Sequence, residues 1–325
     1  MFPKKLRIGD EIRVIAPARS LGFIPKEQNK IAEKRFSELG FKVSFSKNCK
    51  KIDAFNSSNI SSRIMDLHDA FLDNNVKAIF TVIGGFNSNQ LLQHIDYKII
   101  KKNPKIFCGY SDITALENAI FAKTGLVTYS GPHYSTFGMK YGLEYTLYYF
   151  KKCLMSNERY EIKPSKEWSD DQWYFNQENR KFIKDTGFEP VVFGEASGTI
   201  IGANLCTLNL LQGTKYMPSL KNTIIFIEDD ETTTPELVDR NLQSLIHQPD
   251  FDKVKGIVVG KFQKKTNMTQ ELLKKIILTK KELLNIPVIT NVNFGHTTPQ
   301  ITFPIGGKAK IISNKNESTI EITEH

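Results

Sequence analysis

A chain of 325 residues is longer than one hydrophobic core usually serves, so we expect two domains. The formal net charge of +9 raises nucleic acid as a partner, but the lysines are scattered along amphipathic patterns without interleaved aromatic residues, so no nucleic-acid polymer is expected. The four cysteines form no CxxC pair, and neither a signal-peptide pattern nor an apolar run of membrane length is found, which favours a cytoplasmic protein without a metal cluster or a disulfide framework.

Strand and helix patterns alternate over the first half of the chain. The apolar runs predict strands at 12–16, 42–45, 76–83 and 106–108, and the helical spacing predicts helices at 26–39, 61–74, 87–94 and 112–123. This alternation is typical of a parallel sheet with helices on both faces, in which ligands collect at the carboxyl ends of the strands. We therefore expect an α/β fold with a Rossmann-like domain over residues 1–163.

The pattern changes in the second half. Residues 164–184 hold both tryptophans and little periodicity, which is typical of a long functional loop, and we extend this substrate loop to residue 190. Strands are then predicted at 194–203, 223–227, 256–259 and 287–290, with helices at 204–212 and 235–247. A hairpin is predicted over 308–323 around Asn314-Lys315-Asn316. The expected second domain, 164–325, is a smaller α/β unit with a β-rich core.

Ser111 lies where a predicted strand passes through a glycine into a helix, in the segment IFCGYSDIT at 106–114. A serine at such a turn has an accessible hydroxyl, and the N–H groups of the following first helical turn have no acceptors within the helix. This is the arrangement that a serine nucleophile needs. Ile113 replaces the final glycine of a G-x-S-x-G elbow, so an ordinary α/β-hydrolase turn is not expected.

A nucleophilic serine requires a base, and among six histidines His296 is the best placed. It lies on a glycine-containing loop after the predicted strand 287–290, whereas His133 follows Gly131-Pro132 and could border the pocket. Glu228 is the first polar residue after an apolar strand and is the carboxylate best placed to orient an imidazole. The acidic residues 228–231 could instead favour the following helix N-terminus or hold a metal, but no histidine or cysteine lies near them in sequence.

The pair Gly84-Gly85 also follows a strand and precedes a helix. Its exposed N–H groups, with that of Asp112, could stabilise an oxyanion. The same pair could cradle a phosphate in a non-catalytic nucleotide-binding module, although neither GxxxxGK[ST] nor GxGxxG occurs in the sequence. The residues alone leave these alternatives open.

Six segments taken together resemble the family of LD-carboxypeptidases and microcin C immunity peptidases. In chain order they are TVIGGFNSN at 81–89, GYSD at 109–112, SGPH at 130–133, IED at 227–229, DR at 239–240 and FGH at 294–296. The resemblance implies a cytoplasmic, homodimeric serine peptidase without a metal or another cofactor. It assigns Ser111 as nucleophile, His296 as base and Glu228 as its orienter, with oxyanion donors near Gly85 and at Asp112.

The family divides by substrate, and the segment EWSDDQW at 167–173 resembles the immunity branch. That branch cleaves aminoacyl or peptidyl groups from modified nucleotides, whereas the other trims the terminal D-Ala of murein tetrapeptides. The resemblance implies that Trp173 stacks on a nucleobase with Trp168 as its structural partner, although both rings could instead pin the loop to the core. The remaining residues expected to bind substrate are Gly84, Phe86, Asn87, His133 and Asn204.

Overall fold

The computed structural model describes residues 1–315 and 318–325. No helix among these residues is both long and apolar enough to cross a bilayer. The strands of this part of the chain are β1 Glu11–Ile15, β2 Lys42–Phe45, β3 Val76–Thr81, β4 Ile106–Gly109, β5 Thr128–Ser130, β6 Tyr160–Ile162, β7 Glu167–Trp168, β8 Ile183–Lys184, β9 Glu189–Val192, β10 Gly194–Asn204, β11 Thr223–Glu228, β12 Gly256–Gly260, β13 Val288–Val292, β14 Phe303–Ile305, β15 Lys308–Ser313 and β16 Ser318–Glu324.

The α-helices lie between these strands and follow the predicted alternation. They are α1 Lys26–Glu38, α2 Ile60–Leu72, α3 Tyr97–Lys102, α4 Thr114–Thr124, α5 Glu144–Met155, α6 Leu205–Asn209, α7 Pro235–Ile246 and α8 Gln270–Leu278. Local signals set several of their ends. Thr234 caps α7 by accepting the N–H of Leu237, Pro235 occupies its first turn, and Gly125 ends α4 in the left-handed conformation.

The first sheet has the strand order β14-β5-β4-β3-β1-β2. Its five N-terminal strands run parallel, and β14 returns from the far end of the chain to pair antiparallel with β5. The second sheet has the order β6-β16-β15-β10-β11-β12-β13-β9, with a parallel centre from β10 to β13 and antiparallel strands on both sides. The prediction of an α/β fold with parallel sheets in two domains is confirmed.

The core explains why the central strands read as continuous apolar runs. Successive residues of one strand enter different clusters, as Phe226 and Ile227 of β11 and Phe80 and Ile79 of β3 do. Each cluster contains strands of both sheets, so both faces of the parallel centres are covered. The two sheets are thereby packed into one body, with the ends of β3, β4 and β11 close together.

Three predicted elements differ in the structure. The helix predicted at 87–94 is a single 3-10 turn at Ser88–Leu91. The helix predicted at 204–212 is the shorter α6, Leu205–Asn209, which begins after Asn204 because the side chain of Asn204 caps it by accepting the N–H of Thr207. The loop at 164–184 contains the small ribbon of β7 and β8. The predicted hairpin is formed by β15 and β16, and Asn316 of its predicted turn lies outside the described residues.

Candidate active site

Ser111 stands on a sharp turn between β4 and α4. Its φ of +60° is the left-handed conformation that side chains other than glycine rarely adopt, and residues Ser111–Ile113 form a 3-10 turn ahead of the helix. The turn is tightly packed, because a Cβ on Gly84 would lie 2.9 Å from the Oγ of Ser111. A Cβ on Gly109 would overlap the Oγ1 of Thr81. The glycines on both sides therefore let the backbone present the serine hydroxyl.

Three side chains distant in sequence form one chain of hydrogen bonds. The Nε2 of His296 lies 2.9 Å from the Oγ of Ser111, and its Nδ1 lies 2.8 Å from the Oε2 of Glu228. Because an ionised carboxylate can only accept, Nδ1 carries the proton and Nε2 of the neutral ring accepts from the serine hydroxyl. This arrangement can move a proton away from the hydroxyl during a nucleophilic attack.

Glu228 is the last residue of β11 and is only 2% exposed. Gly295 lets the histidine loop pass this carboxylate: its φ is +100°, and a Cβ there would lie 2.7 Å from the Cγ of Glu228. The Nδ2 of Asn204 lies 3.2 Å from Oε1 of Glu228 and 3.3 Å from Oδ1 of Asp229. A rigid strand end, a glycine and an amide donor thus fix the carboxylate beside the imidazole.

The electrostatic field of these acids controls the imidazole. Burial would lower the pKa of His296, but Glu228, with smaller contributions from Asp230 and Asp229, outweighs burial and raises this pKa to about 9. Burial, followed by the charge of Glu228, raises the pKa of Asp229 to about 6. The site therefore favours the imidazolium form of His296.

The turn Gly84-Gly85 lies against the serine. A Cβ on Gly84 would lie 3.5 Å from the backbone nitrogen of Asp112, so the two predicted donor segments are neighbours. The carboxylate of Asp112 accepts the N–H groups of Asn87 and Ser88 at 3.0 and 2.9 Å, which ties the segment after Gly85 to the serine turn. Backbone N–H groups on both sides of a nucleophile can stabilise an oxyanion.

A cavity of about 360 Å³ opens in front of Ser111. Of the residues predicted to bind substrate, those that line it are Gly84, Phe86, His133 and Trp173. Phe86 is 72% exposed at the rim, whereas His133 is buried, stacks on Tyr110 at 4.2 Å and bonds Thr81 through Nδ1. Burial, with a smaller effect of His296, holds the pKa of His133 well below its usual value, so its ring is neutral.

Asn87 and Asn204 are not among the residues that line this cavity. Both oxygens of Asn87, backbone and side chain, accept from Arg63 at 3.1 Å, and Asn204 holds the carboxylates described above. Both residues thus hold other side chains in place outside the cavity. Each stands just before a helical turn, a position that gave no sign of partners distant in sequence. Lining residues that the sequence did not indicate include Arg19 and Tyr174.

The loop with the two tryptophans is fixed to the histidine loop. Ser169 and Thr298 exchange two backbone hydrogen bonds of 2.7 and 2.8 Å. Trp173 faces the cavity, while the ring of Trp168 is covered by the ammonium groups of Lys261 and Lys264 at 5.1 and 5.3 Å. The two rings therefore occupy different environments, and only Trp173 lines the cavity. Among the described residues, no group of three or more His, Cys, Asp or Glu could hold a metal ion.

The sequence matches two family models, described as the LD-carboxypeptidase N-terminal domain over residues 12–131 and the LD-carboxypeptidase C-terminal domain over residues 197–311. "Putative carboxypeptidase YocD" of Bacillus subtilis (strain 168) is 53% identical over 100% of both chains. "Probable murein peptide carboxypeptidase" of the same organism is 31% identical, and "Microcin C7 self-immunity protein MccF" of Escherichia coli is 32% identical. Both of these alignments cover 98% of this chain and 94% of the relative.

Solved structures share the whole fold. An MccF-like protein from Bacillus anthracis str. Ames has a TM-score of 0.99 and 57% identity, with 100% of both chains covered. The complex of MccF with aspartyl sulfamoyl adenosine has a TM-score of 0.89 and 30% identity, covering 100% of this chain and 99% of that one. The two family models match both halves of the chain, and the YocD relative from Bacillus subtilis matches it over its whole length. The chain therefore belongs to the LD-carboxypeptidase family of peptidases.

Proposed function

We propose that this protein is a serine peptidase that hydrolyses the acyl bond between an amino acid or peptide and a modified nucleotide, as in processed microcin C. Such an activity would serve self-immunity or detoxification. The observation that carries the proposal is the hydrogen-bonded series Ser111–His296–Glu228 at the edge of a cavity that Trp173 also lines.

In the proposed reaction, the Oγ of Ser111 attacks the substrate carbonyl while its proton passes to Nε2 of His296. Glu228 holds the imidazole in the required tautomer and stabilises its charged form. The N–H groups of Gly85 and Asp112 stabilise the oxyanion of the tetrahedral intermediate. His296 then gives the proton to the leaving nitrogen, and water hydrolyses the acyl-enzyme by the same route in reverse.

The nucleotide part of the proposal is supported by a relative and by one side chain. MccF has been solved with aspartyl sulfamoyl adenosine, and its structure matches this chain over nearly the full length of both. Trp173 is partly exposed in the cavity and offers an aromatic face to a base. Stacking of this kind is worth about 1–3 kcal/mol per base and tolerates different bases.

A second candidate is a murein tetrapeptide LD-carboxypeptidase that acts in cell-wall recycling. The similarity to a probable murein peptide carboxypeptidase favours it, and the same three side chains would carry the reaction. The two candidates differ in the leaving group, which is a nucleotide conjugate in the first and a D-amino acid in the second.

The test compares hydrolysis of an aminoacyl sulfamoyl adenosine with that of an L,D-tetrapeptide. Ser111→Ala is expected to lower kcat by several orders of magnitude without changing the circular dichroism spectrum, with the exposed Ser61→Ala as control. A fluorophosphonate probe should label wild type at Ser111, whereas a nucleotide-binding module without catalysis would stay unlabelled. Retained turnover in Ser111→Ala would refute the nucleophile.

Trp173→Ala is expected to impair only hydrolysis of the nucleotide substrate, by about 10- to 100-fold, because only that substrate gains from stacking. Trp168→Phe is the matched control, since its ring does not line the cavity. An equal loss on both substrates would contradict nucleobase stacking. We also propose a cytoplasmic homodimer, and a monomer in sedimentation equilibrium at micromolar concentration would contradict the second part.

A further inference from the structure

Arg19 is the one lysine or arginine among the described residues that line the cavity. It follows β1 in the segment Pro17-Ala18-Arg19-Ser20. Its side chain is partly exposed. The reaction proposed above gives this cation no role.

The position of Arg19 is fixed relative to the nucleophile. Its N–H donates to the carbonyl of Gly84 at 3.2 Å, and a Cβ on Gly85 would lie 3.2 Å from its nitrogen and 3.3 Å from its Cγ. Gly84 in turn packs against Ser111. Arg19 and Ser111 are therefore neighbours across the Gly84-Gly85 turn.

Two aromatic rings hold the guanidinium. Its central carbon lies 5.1 Å from the ring centroid of Phe23 and 5.3 Å from that of Phe86, which is within the range of cation–π contacts. These contacts restrain the planar group through its charge and do not use its N–H groups as hydrogen-bond donors. The donors can therefore bind an acceptor in the cavity.

The charges around the cavity are unevenly compensated. Three of the four acidic lining residues, Asp170, Asp171 and Glu231, form ion pairs with Lys264, Arg180 and Lys265, in that order. The fourth, Asp230, accepts hydrogen bonds from the backbone N–H and the hydroxyl of Thr232. None of the ion pairs between described residues includes Arg19. The cavity therefore presents, outside these ion pairs, a cation whose donors match a planar or tetrahedral anion.

We propose that Arg19 binds the anionic group on the leaving half of the substrate and so determines specificity. The inference rests on the proposed hydrolysis of an acyl bond next to Ser111. In a peptide with a terminal D-amino acid this group is the carboxylate, and in a nucleotide conjugate it is the ionised sulfamoyl or phosphoryl group. Both accept paired hydrogen bonds from a guanidinium.

The experiment uses pairs of substrates in which one member carries the anionic group and the other lacks it. One pair is an L,D-tetrapeptide with a free terminal carboxylate and its carboxamide. The other is an aminoacyl sulfamoyl adenosine and the neutral amide formed with 5′-amino-5′-deoxyadenosine. Wild type, Arg19→Gln and Arg19→Lys are compared by kcat/KM, and Arg7→Gln, which removes an exposed charge elsewhere, is the matched control.

Arg19→Gln is expected to lower kcat/KM for the anionic member by about 10- to 100-fold and for the neutral member by less than about threefold. Arg19→Lys should recover part of the loss, because it keeps the charge but not the paired donors. The pair that responds identifies whether a carboxylate or a sulfamoyl group is bound. An equal loss on charged and neutral members, or no loss on either, would overturn the proposal.

A binding measurement separates this inference from the proposed function. In the Ser111→Ala background, calorimetry compares the same charged and neutral compounds without hydrolysis. If an anionic member binds more tightly than its neutral partner and Arg19→Gln abolishes this difference, the anion site is supported. Absence of hydrolysis by wild type would refute the proposed function alone and would leave that support intact. Equal affinities with Arg19 and with Gln would overturn the anion site.

Discussion

Replacing Glu228 with Gln should shift the titration of His296 and slow the reaction of Ser111. The variant preserves the size of a buried side chain but removes the charge 2.8 Å from Nδ1. The field of the acids raises the pKa of His296 from the ordinary value of 6.5 to about 9 despite burial. At 1.36 kcal/mol per pKa unit, the site stabilises the imidazolium over the neutral ring by about 3 kcal/mol more than water does.

Without the charge of Glu228, burial should dominate and bring the pKa of His296 down toward or below 6.5. An amide can also donate to Nδ1 and select the wrong tautomer. In a serine protease with a Ser-His-Asp triad, the corresponding loss of the carboxylate lowers kcat by about 10⁴. We therefore expect the reaction with a fluorophosphonate to slow by a factor of that order. The rise of the labelling rate with pH, which follows deprotonation of His296, should also move to lower pH.

The measurement combines labelling rates between pH 5 and 10 with NMR titration of ¹³C-labelled histidine, in which His296→Gln identifies the resonance. Glu236→Gln, an exposed acid in the first turn of α7, is the control. Because the folded-state pKa of His296 is raised, the stability from its ion pair is full below pH 6.5 and is lost as the pH rises through about 9. An unchanged His296 titration in Glu228→Gln would refute the reasoning.

Three further predictions test the surroundings of the site. Gly295→Ala should lower kcat by at least about 100-fold while the protein stays folded, because a Cβ would overlap Oε2 of Glu228 and displace the histidine loop. Asp229→Asn should lower the pKa of His296, seen as a labelling profile shifted to lower pH, since Asp229 contributes to raising it. Glu117→Gln should raise the unfolding temperature more at pH 8 than at pH 5. Burial raises the pKa of Glu117 well above 4.5, so the folded wild type loses stability as the pH rises above 4.5, whereas the neutral Gln does not titrate.

The fold was predictable because its signals are local. Strands such as β11 and β12 are unbroken apolar runs, and the helices between them carry the expected spacing and ends. The partners of Arg19 and Asn204 were not predictable in this way. The contact of Arg19 with Phe86 and that of Asn204 with Glu228 each join segments more than twenty residues apart that meet only through packing. The left-handed backbone of Ser111 is likewise imposed by its neighbours. Local patterns can identify which residues bear chemistry, but not which of them meet.

If His296 is the base of the proposed reaction, the acids around it have two opposing effects on the rate of proton transfer. With a pKa of about 9, roughly one ring in a hundred is neutral at pH 7 and able to accept the serine proton. In the proposed reaction the same field stabilises the imidazolium that forms as Ser111 attacks. Each pKa unit gained above the working pH therefore lowers the neutral fraction about as much as it can favour the proton transfer. Asn204 bridges Glu228 and Asp229, and its amide donors lessen the repulsion between the two carboxylates. Since a protonated Asp229 would weaken the field, the rate of the proposed reaction should depend on the coupled titration of Asp229 and His296 rather than on one group.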